Sequence, residues 1–293
     1  MLSNIIFLKP YLKPTIWGGV HLRKYGVQSK NKIGEAWLVS AINQHESKIK
    51  GTNINLSTFF KTHPAFFNHT PYHTYPLLLK LLNCNDNLSI QVHPQNKQLQ
   101  KNEAWYFLHT NKNTKIICGH KARSKDDFIQ KYNARAWNEL LAYTPIKKED
   151  IVYIPTGTIH ALLKGVVVLE IQQPSDTTYR LYDYDRELVD PQRQLHVKEA
   201  LANINYLPQS IKPVTNGYLS TPHFTIDVIH NINTKTYSFN ADWLQCFVVD
   251  GKGTINNVKI KRGDCFLLSH KWTNFTIIGK IKIVFTYIKT KNG

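Results

Sequence analysis

In the stretch "LSIQVHP" a glutamine and a histidine stand two residues apart, Gln91 and His93, at the end of an apolar run closed by Pro94. Side chains two apart on a strand share a face, so the pair projects side by side while Ile90 and Val92 face the other way. Downstream, "PTGTIH" bends the chain at Pro155 and Gly157 after the apolar strand "DIVYI" and delivers His160 at the start of the next. Such a turn can aim an imidazole into the mouth of a β-barrel. With Glu103 of "KNEAWY", the two histidines offer the nitrogen and oxygen donors that zinc prefers, and Gln91 offers a neutral fourth with room left for water or substrate. Taken singly, each has an ordinary structural explanation, Gln91 as a strand residue satisfying a neighbour and His160 as a buried structural histidine. Together, the four read as a metal site.

Most of the chain can supply the framework that such a site needs. Short apolar runs bounded by turn residues, among them "EAWLVSA", "TKIICG", "GVVVLEIQQ", "FTIDVIH" and "KIKIVFTYI", occur at the density of a β-sandwich or barrel. Helical signals are fewer: "LSTFFKTHPAFF", "SKDDFIQKYNARAWNELLAY" with Ser124 as its N-cap, and a short "HVKEALANI". Pro208 and Pro213 mark a joint, which divides the chain into a site-bearing region, residues 1–207, and a second β-sandwich, residues 208–293. "KRGDCFLLSHKW" in the second region echoes "KKEDIVYIPTGTIH" in the first without its Pro-x-Gly-x-x-His element. His223, His230 and His270 also lack paired spacing, so no metal is expected in the second sandwich.

The whole composition narrows the partners. At 293 residues and 42% hydrophobic the chain can bury a sizeable core, and its apolar runs are too short to span a bilayer. The N-terminus lacks a signal peptide's basic start and small-residue cleavage site, so a cytoplasmic, membrane-free protein is expected. Cys84, Cys118, Cys246 and Cys265 form no C-x-x-C pair, which suggests neither a thiolate metal site nor a disulfide framework. The net charge of +17 is dispersed along the chain, which argues against nucleic acid and fits a general attraction for anions, phosphorylated metabolites included.

The motifs "SIQVHP", "KNEAWY", "PTGTIHAL" and "LEIQQPSDTTYRLYDYDR", with "TIWGG" and "YPLLLKLL" upstream, resemble those of the type I mannose-6-phosphate isomerases in their short bacterial form, and they occur in the family's order. The resemblance implies a mainly β, double jelly-roll (cupin) fold with a few decorating helices. It also implies one zinc ion per chain held by Gln91, His93, Glu103 and His160, with Arg180 of "DTTYR" as the active-site arginine. Where the larger family often has an aromatic residue two positions after the final histidine, this chain has Leu162.

Aldose–ketose interconversion moves a proton between C1 and C2 through an enediol, so a carbonyl must be polarised and a proton carried. Lys101, two residues before Glu103, and Asp176, four before Arg180, are the candidate carriers, and Asp176 could instead orient Arg180. For the phosphate, Arg186 is favoured with Lys80 and Ser89 as further candidates, since guanidinium holds phosphate oxygens bidentately and hydroxyls donate to them. Trp37, Trp105 and Tyr106 read mainly as core, whereas Trp17 in "TIWGG" reads as a substrate contact, its glycines permitting close backbone approach to a ligand. Two rivals remain at this stage: a non-catalytic metal-binding cupin that senses or carries a sugar, and an iron-dependent cupin dioxygenase. Two histidines, a glutamate and a glutamine are not the usual oxygen-activating set, which disfavours the second.

Overall fold

The computed structural model describes residues 3–207, 209 and 211–290. Three antiparallel sheets organise them. A six-stranded sheet runs Ile151–Ile154, Glu103–Thr110, Val166–Gln172, Leu78–Cys84, Glu35–Val39 and Tyr11–Lys13 in spatial order. A five-stranded sheet runs Tyr179–Tyr182, Ile90–Val92, His160–Ala161, Lys115–His120 and Leu141–Pro145. These two face each other across Trp105, Phe107, Leu82, Val168, Cys118 and Leu162, the interior of the first sandwich. The mainly β, jelly-roll fold that the family resemblance implies is met in this arrangement.

Both sheets are covered on their outer faces too. Phe128 and Ala200, from the helices Lys125–Asn133 and Val197–Asn203, pack on Val92, Ile117 and Leu181 behind the five-stranded sheet. Leu79, Leu81 and Leu169 on the back of the six-stranded sheet share a core with Phe247, Leu267 and Val284 of the ten-stranded C-terminal sheet. Double-sided burial explains why strands such as Leu78–Cys84 read as unbroken rather than alternating apolar runs. It also makes the two sandwiches one continuous packing unit. Of the two prolines expected to mark the joint, Pro208 lies outside the described residues, whereas Pro213 precedes Val214, which bridges back to Ile151; the strand Ile5–Lys9 pairs with Cys265–Leu268, so residues near the N-terminus contribute to the C-terminal sheet.

The echo between the two regions has a local physical basis. Before the strand Ile151–Ile154 the Asp150 carboxylate accepts the Lys147 N–H (2.9 Å), and before Cys265–Leu268 Asp264 accepts the Lys261 N–H at the same distance. Both turns thus use a short acidic side chain to satisfy a backbone donor.

One helix expectation is cut short. Ser124 caps Lys125–Asn133 by accepting the Asp127 N–H (3.1 Å), but Arg135 has a left-handed φ of 51° that ends the helix, and only Trp137–Leu140 is helical beyond it. The remaining "LAY" enters a strand against Lys115–His120, where cross-strand pairing outweighs local helix preference.

Candidate metal centre and its cleft

Pairing register assembles the site. Gln91 lies directly opposite His160 on one side and Arg180 on the other, so three side chains from three neighbouring strands stand in one row on the inner face. Gly157 makes the turn before His160 possible: its φ is +79°, and a Cβ there would meet the Gln95 side chain at 2.7 Å. Facing this row, the six-stranded sheet presents Glu103 beside Gln172. Two pairs further along, on the same face, it aligns Trp37, Lys80, Glu170 and Trp105 across four strands.

His93, Glu103 and His160 are fully buried and bring their ligand atoms within 4.8 Å of one another; they are the one such cluster among the described residues. His93 Nε2 is 3.1 Å from Glu103 Oε2, His160 Nε2 is 3.5 Å from Oε1, and the Gln91 amide lies 3.3 Å from His160 Nε2. Both imidazoles are oriented from behind. His93 Nδ1 donates to the Thr177 carbonyl (3.1 Å) and His160 Nδ1 to the Thr158 carbonyl (2.8 Å), which leaves each Nε2 with its lone pair toward Glu103. Glu103 Oε1 is buried without a hydrogen-bond partner among the described residues, so it is open to a positively charged ligand.

Electrostatics keep these groups in ligand form. Burial, reinforced by Lys101, pulls His93 down to about 3 and burial also lowers His160, so both are neutral near pH 7. Burial alone would raise Glu103, but Lys101 and the two histidines hold it well below the usual carboxylate range. Neutral imidazoles, one carboxylate and an amide oxygen are a donor set that fits a zinc-like divalent ion.

Beside the cluster opens a cavity of about 450 Å³. Lys101 lines it, just before the strand Glu103–Thr110, with its ammonium 2.8 Å from Glu103 Oε2. Ser89, Lys80, Asp176, Arg180 and Trp17 all line the same cavity. The Arg180 guanidinium makes no hydrogen bond or ion pair among the described residues, whereas Asp176 is engaged elsewhere, 3.6 Å from both Lys13 and Lys80. Arg186 is not among the lining residues. Its guanidinium donates to Asp86 (2.8 Å), Asp183 (3.2 Å) and the Asn87 carbonyl (2.8 Å). Gly18, expected to admit a ligand, is instead required by the chain itself, since a Cβ there would lie 2.5 Å from the Gly34 nitrogen.

Several lining residues escape a reading of local sequence. Glu170 accepts from Trp105 Nε1 (3.1 Å), and burial raises its pKa. An acidic residue inside "VVVLEIQ" was the available signal. Arg193, His196 and Lys13 also line the cavity and carry no local motif. Lys80 is nearly inaccessible, 3.5 Å from Glu35, 3.6 Å from Glu170 and 4.2 Å above the Trp37 ring. Burial would lower its pKa, yet Glu35, Glu170 and Asp176 raise it, so it remains an ammonium. Lys80→Met would leave three carboxylates around an apolar side chain, and breaking a buried ion pair this way costs about 3–5 kcal/mol. A urea melt should show that loss; an unchanged midpoint would mean that the carboxylates need no counterion.

Fold and cluster together define a two-sandwich cupin protein with a candidate metal centre in its first sandwich. Residues 6–121 match the phosphomannose isomerase type I catalytic domain, and residues 215–288 match the mannose-6-phosphate isomerase cupin domain. A mannose-6-phosphate isomerase of Streptococcus mutans is 32% identical over 98% of this chain and 99% of its own length. The crystal structure of the mannose 6-phosphate isomerase from Bacillus subtilis superposes with a TM-score of 0.87 at 32% identity, covering 98% of this chain and all of that one. A zinc-bound mannose 6-phosphate isomerase shares the fold, with a TM-score of 0.78 at 15% identity over 98% of this chain and 100% of its own. The chain belongs to the type I phosphomannose isomerase family. Among the described residues, no helix is long and apolar enough to cross a membrane.

Proposed function

We propose that this chain interconverts D-mannose 6-phosphate and D-fructose 6-phosphate by proton transfer through an enediol, with one zinc held by Gln91, His93, Glu103 and His160. The observation that carries the reading is the buried, partnerless Glu103 Oε1 at the meeting point of two lone-pair-bearing imidazole nitrogens, beside a cleft rich in cations, in a member of this family. Bound there, zinc supplies a Lewis acid for the sugar's carbonyl and hydroxyl oxygens.

The protein's own groups do the rest. Arg180, adjacent to Gln91 across the strand pair and with its guanidinium unpaired among the described residues, donates to the oxygen on which negative charge develops. The proton between C1 and C2 needs a carrier that can hold either state. Asp176 is poorly suited, because Lys80 and Lys13 hold its carboxyl low against the effect of burial. Glu170, raised by burial, is the best-suited carboxylate on the cleft wall, and Lys101 is the cation that can stabilise the enediolate beside the cluster. Glu35 and Lys80 keep Glu170 in place.

Metal-stripped protein should be inactive on mannose 6-phosphate and regain isomerisation as one equivalent of zinc is restored. A zinc-loaded chain that binds sugar phosphate but converts none would favour the non-catalytic sugar-binding alternative.

A further inference from the structure

We propose that the seam between the two sandwiches binds a diphosphate group, free or carried by a nucleotide, at a site separate from the metal-bearing cleft. The inference goes beyond the isomerase reading and does not depend on it.

A cavity of about 510 Å³ opens along this seam, with walls from both sandwiches. The six-stranded sheet lies between it and the cleft. Along the strand Glu103–Thr110, Trp105 lines the cleft and packs inside the first sandwich, whereas Leu108 belongs to the core shared with the C-terminal sheet and lines the seam cavity. The two cavities therefore open on opposite faces of one sheet.

The charges around the seam cavity do not balance. The Lys282 ammonium is 2.6 Å from Glu149, a pair that ties the two sandwiches together, and Arg262 is paired with Asp250. Both carboxylates of the lining are thereby used. Lys24, Lys148 and Lys280 line the same cavity, and none of their ammoniums has an ion-pair or hydrogen-bond partner among the described residues. They come from separate segments: the short helix His21–Tyr25, the turn before Ile151–Ile154, and the bend between Asn274–Ile278 and Ile281–Tyr287. Lys148 acts across the seam, since Arg262 and, more weakly, Lys148 hold the Asp250 carboxyl below the usual range. His230, kept below its ordinary value by burial and by Lys282, adds no charge near pH 7.

Three cations thus surround one opening with no counterion of their own, and an anion relieves their repulsion. A single phosphate monoester carries about 1.5 to 2 negative charges, short of three ammoniums. Two linked phosphates come closer in charge and can reach lysines on separate segments, each a point charge on a flexible stem. Beside the lysines, Tyr25, Val249 and Ile232 offer an apolar wall, with Tyr25 fixed by its hydroxyl's donation to the Leu108 carbonyl (3.2 Å). A nucleoside can lie there.

The test is calorimetric titration of zinc-loaded protein with pyrophosphate and, separately, with ADP, in saturating mannose 6-phosphate and with metal content measured after each titration. Lys148→Glu/Lys280→Glu should weaken the binding of both by at least about tenfold, because each reversal removes an attraction and adds a repulsion. Lys112→Glu/Lys115→Glu makes the same change in net charge around a different cavity and should stay within about twofold of wild type, since distant charges are screened. All four lysines are exposed, so both double variants should melt as wild type does. With the lysine dependence in place, tighter binding of ADP than of pyrophosphate assigns the site to a nucleotide, and equal binding assigns it to the diphosphate alone. Wild-type affinity in Lys148→Glu/Lys280→Glu, equal losses in the two double variants, or no pyrophosphate binding by wild type would each overturn the proposal. Should Lys148→Glu/Lys280→Glu fail to fold, Lys148→Ala and Lys280→Ala decide, each expected to lose about three- to fivefold; wild-type affinity in both would equally overturn it.

Discussion

Glu103→Gln should leave a folded protein that neither retains zinc nor isomerises sugar phosphate. The substitution keeps the shape of the side chain but removes the one negative charge at the meeting point of His93, His160 and Lys101. Loss of a mere supporting partner weakens metal sites by about 10–100-fold, and the loss of an anionic donor should exceed that. Thermal melts separate binding from catalysis: zinc at about a hundred times its Kd should stabilise wild type by roughly 2.7 kcal/mol, whereas Glu103→Gln should show no shift. The variant should also start less stable, because the buried Lys101 ammonium loses its 2.8 Å partner. Gln91→Ala should weaken zinc binding less, since an uncharged amide is the least strongly attracted donor. Full zinc retention by Glu103→Gln after mild chelation would contradict the ligand set.

Arg180→Ala should lower kcat by about 10²–10³-fold, the usual cost of deleting a donor to a developing oxyanion, with zinc content and KM nearly unchanged. Its guanidinium has no partner among the described residues, so the deletion leaves none of their buried carboxylates stranded and the fold should tolerate it. A KM effect with kcat preserved would make Arg180 a contact for the substrate's phosphate and shift the charge-stabilising role to Lys101.

How much of this was legible from the chain differs from residue to residue. Gln91 and His93 could be placed on one face because strand periodicity is local and strict. Gly157 could be assigned to a turn because a Pro-x-Gly element after an apolar strand reads as a bend, and its positive φ follows that logic. Arg186 was a natural phosphate ligand by type and position, yet Asp86 and the Asn87 carbonyl, a hundred residues away in sequence, occupy it. Arg193 had no motif to mark it, and its place on the cavity wall follows from its contact with the buried Asp183. Glu170 was hidden differently: it sits in an apolar run whose two faces are both buried, so alternation gave no hint of an interior cleft. The helix around Ser124 was visible at its start, where capping is local, and invisible at its end, where pairing with Lys115–His120 decides.

The proton-transfer isomerisation is tested most directly in D2O, by following the C2 proton of mannose 6-phosphate and the appearance of fructose 6-phosphate together by NMR. Zinc-loaded wild type should produce fructose 6-phosphate carrying deuterium at C1 in part of the product, and should wash the C2 proton out of the remaining mannose 6-phosphate. Metal-stripped protein and Glu103→Gln should do neither. Zinc-loaded protein that forms no fructose 6-phosphate, or forms it with the C2 hydrogen wholly retained as in a hydride shift, would contradict the account.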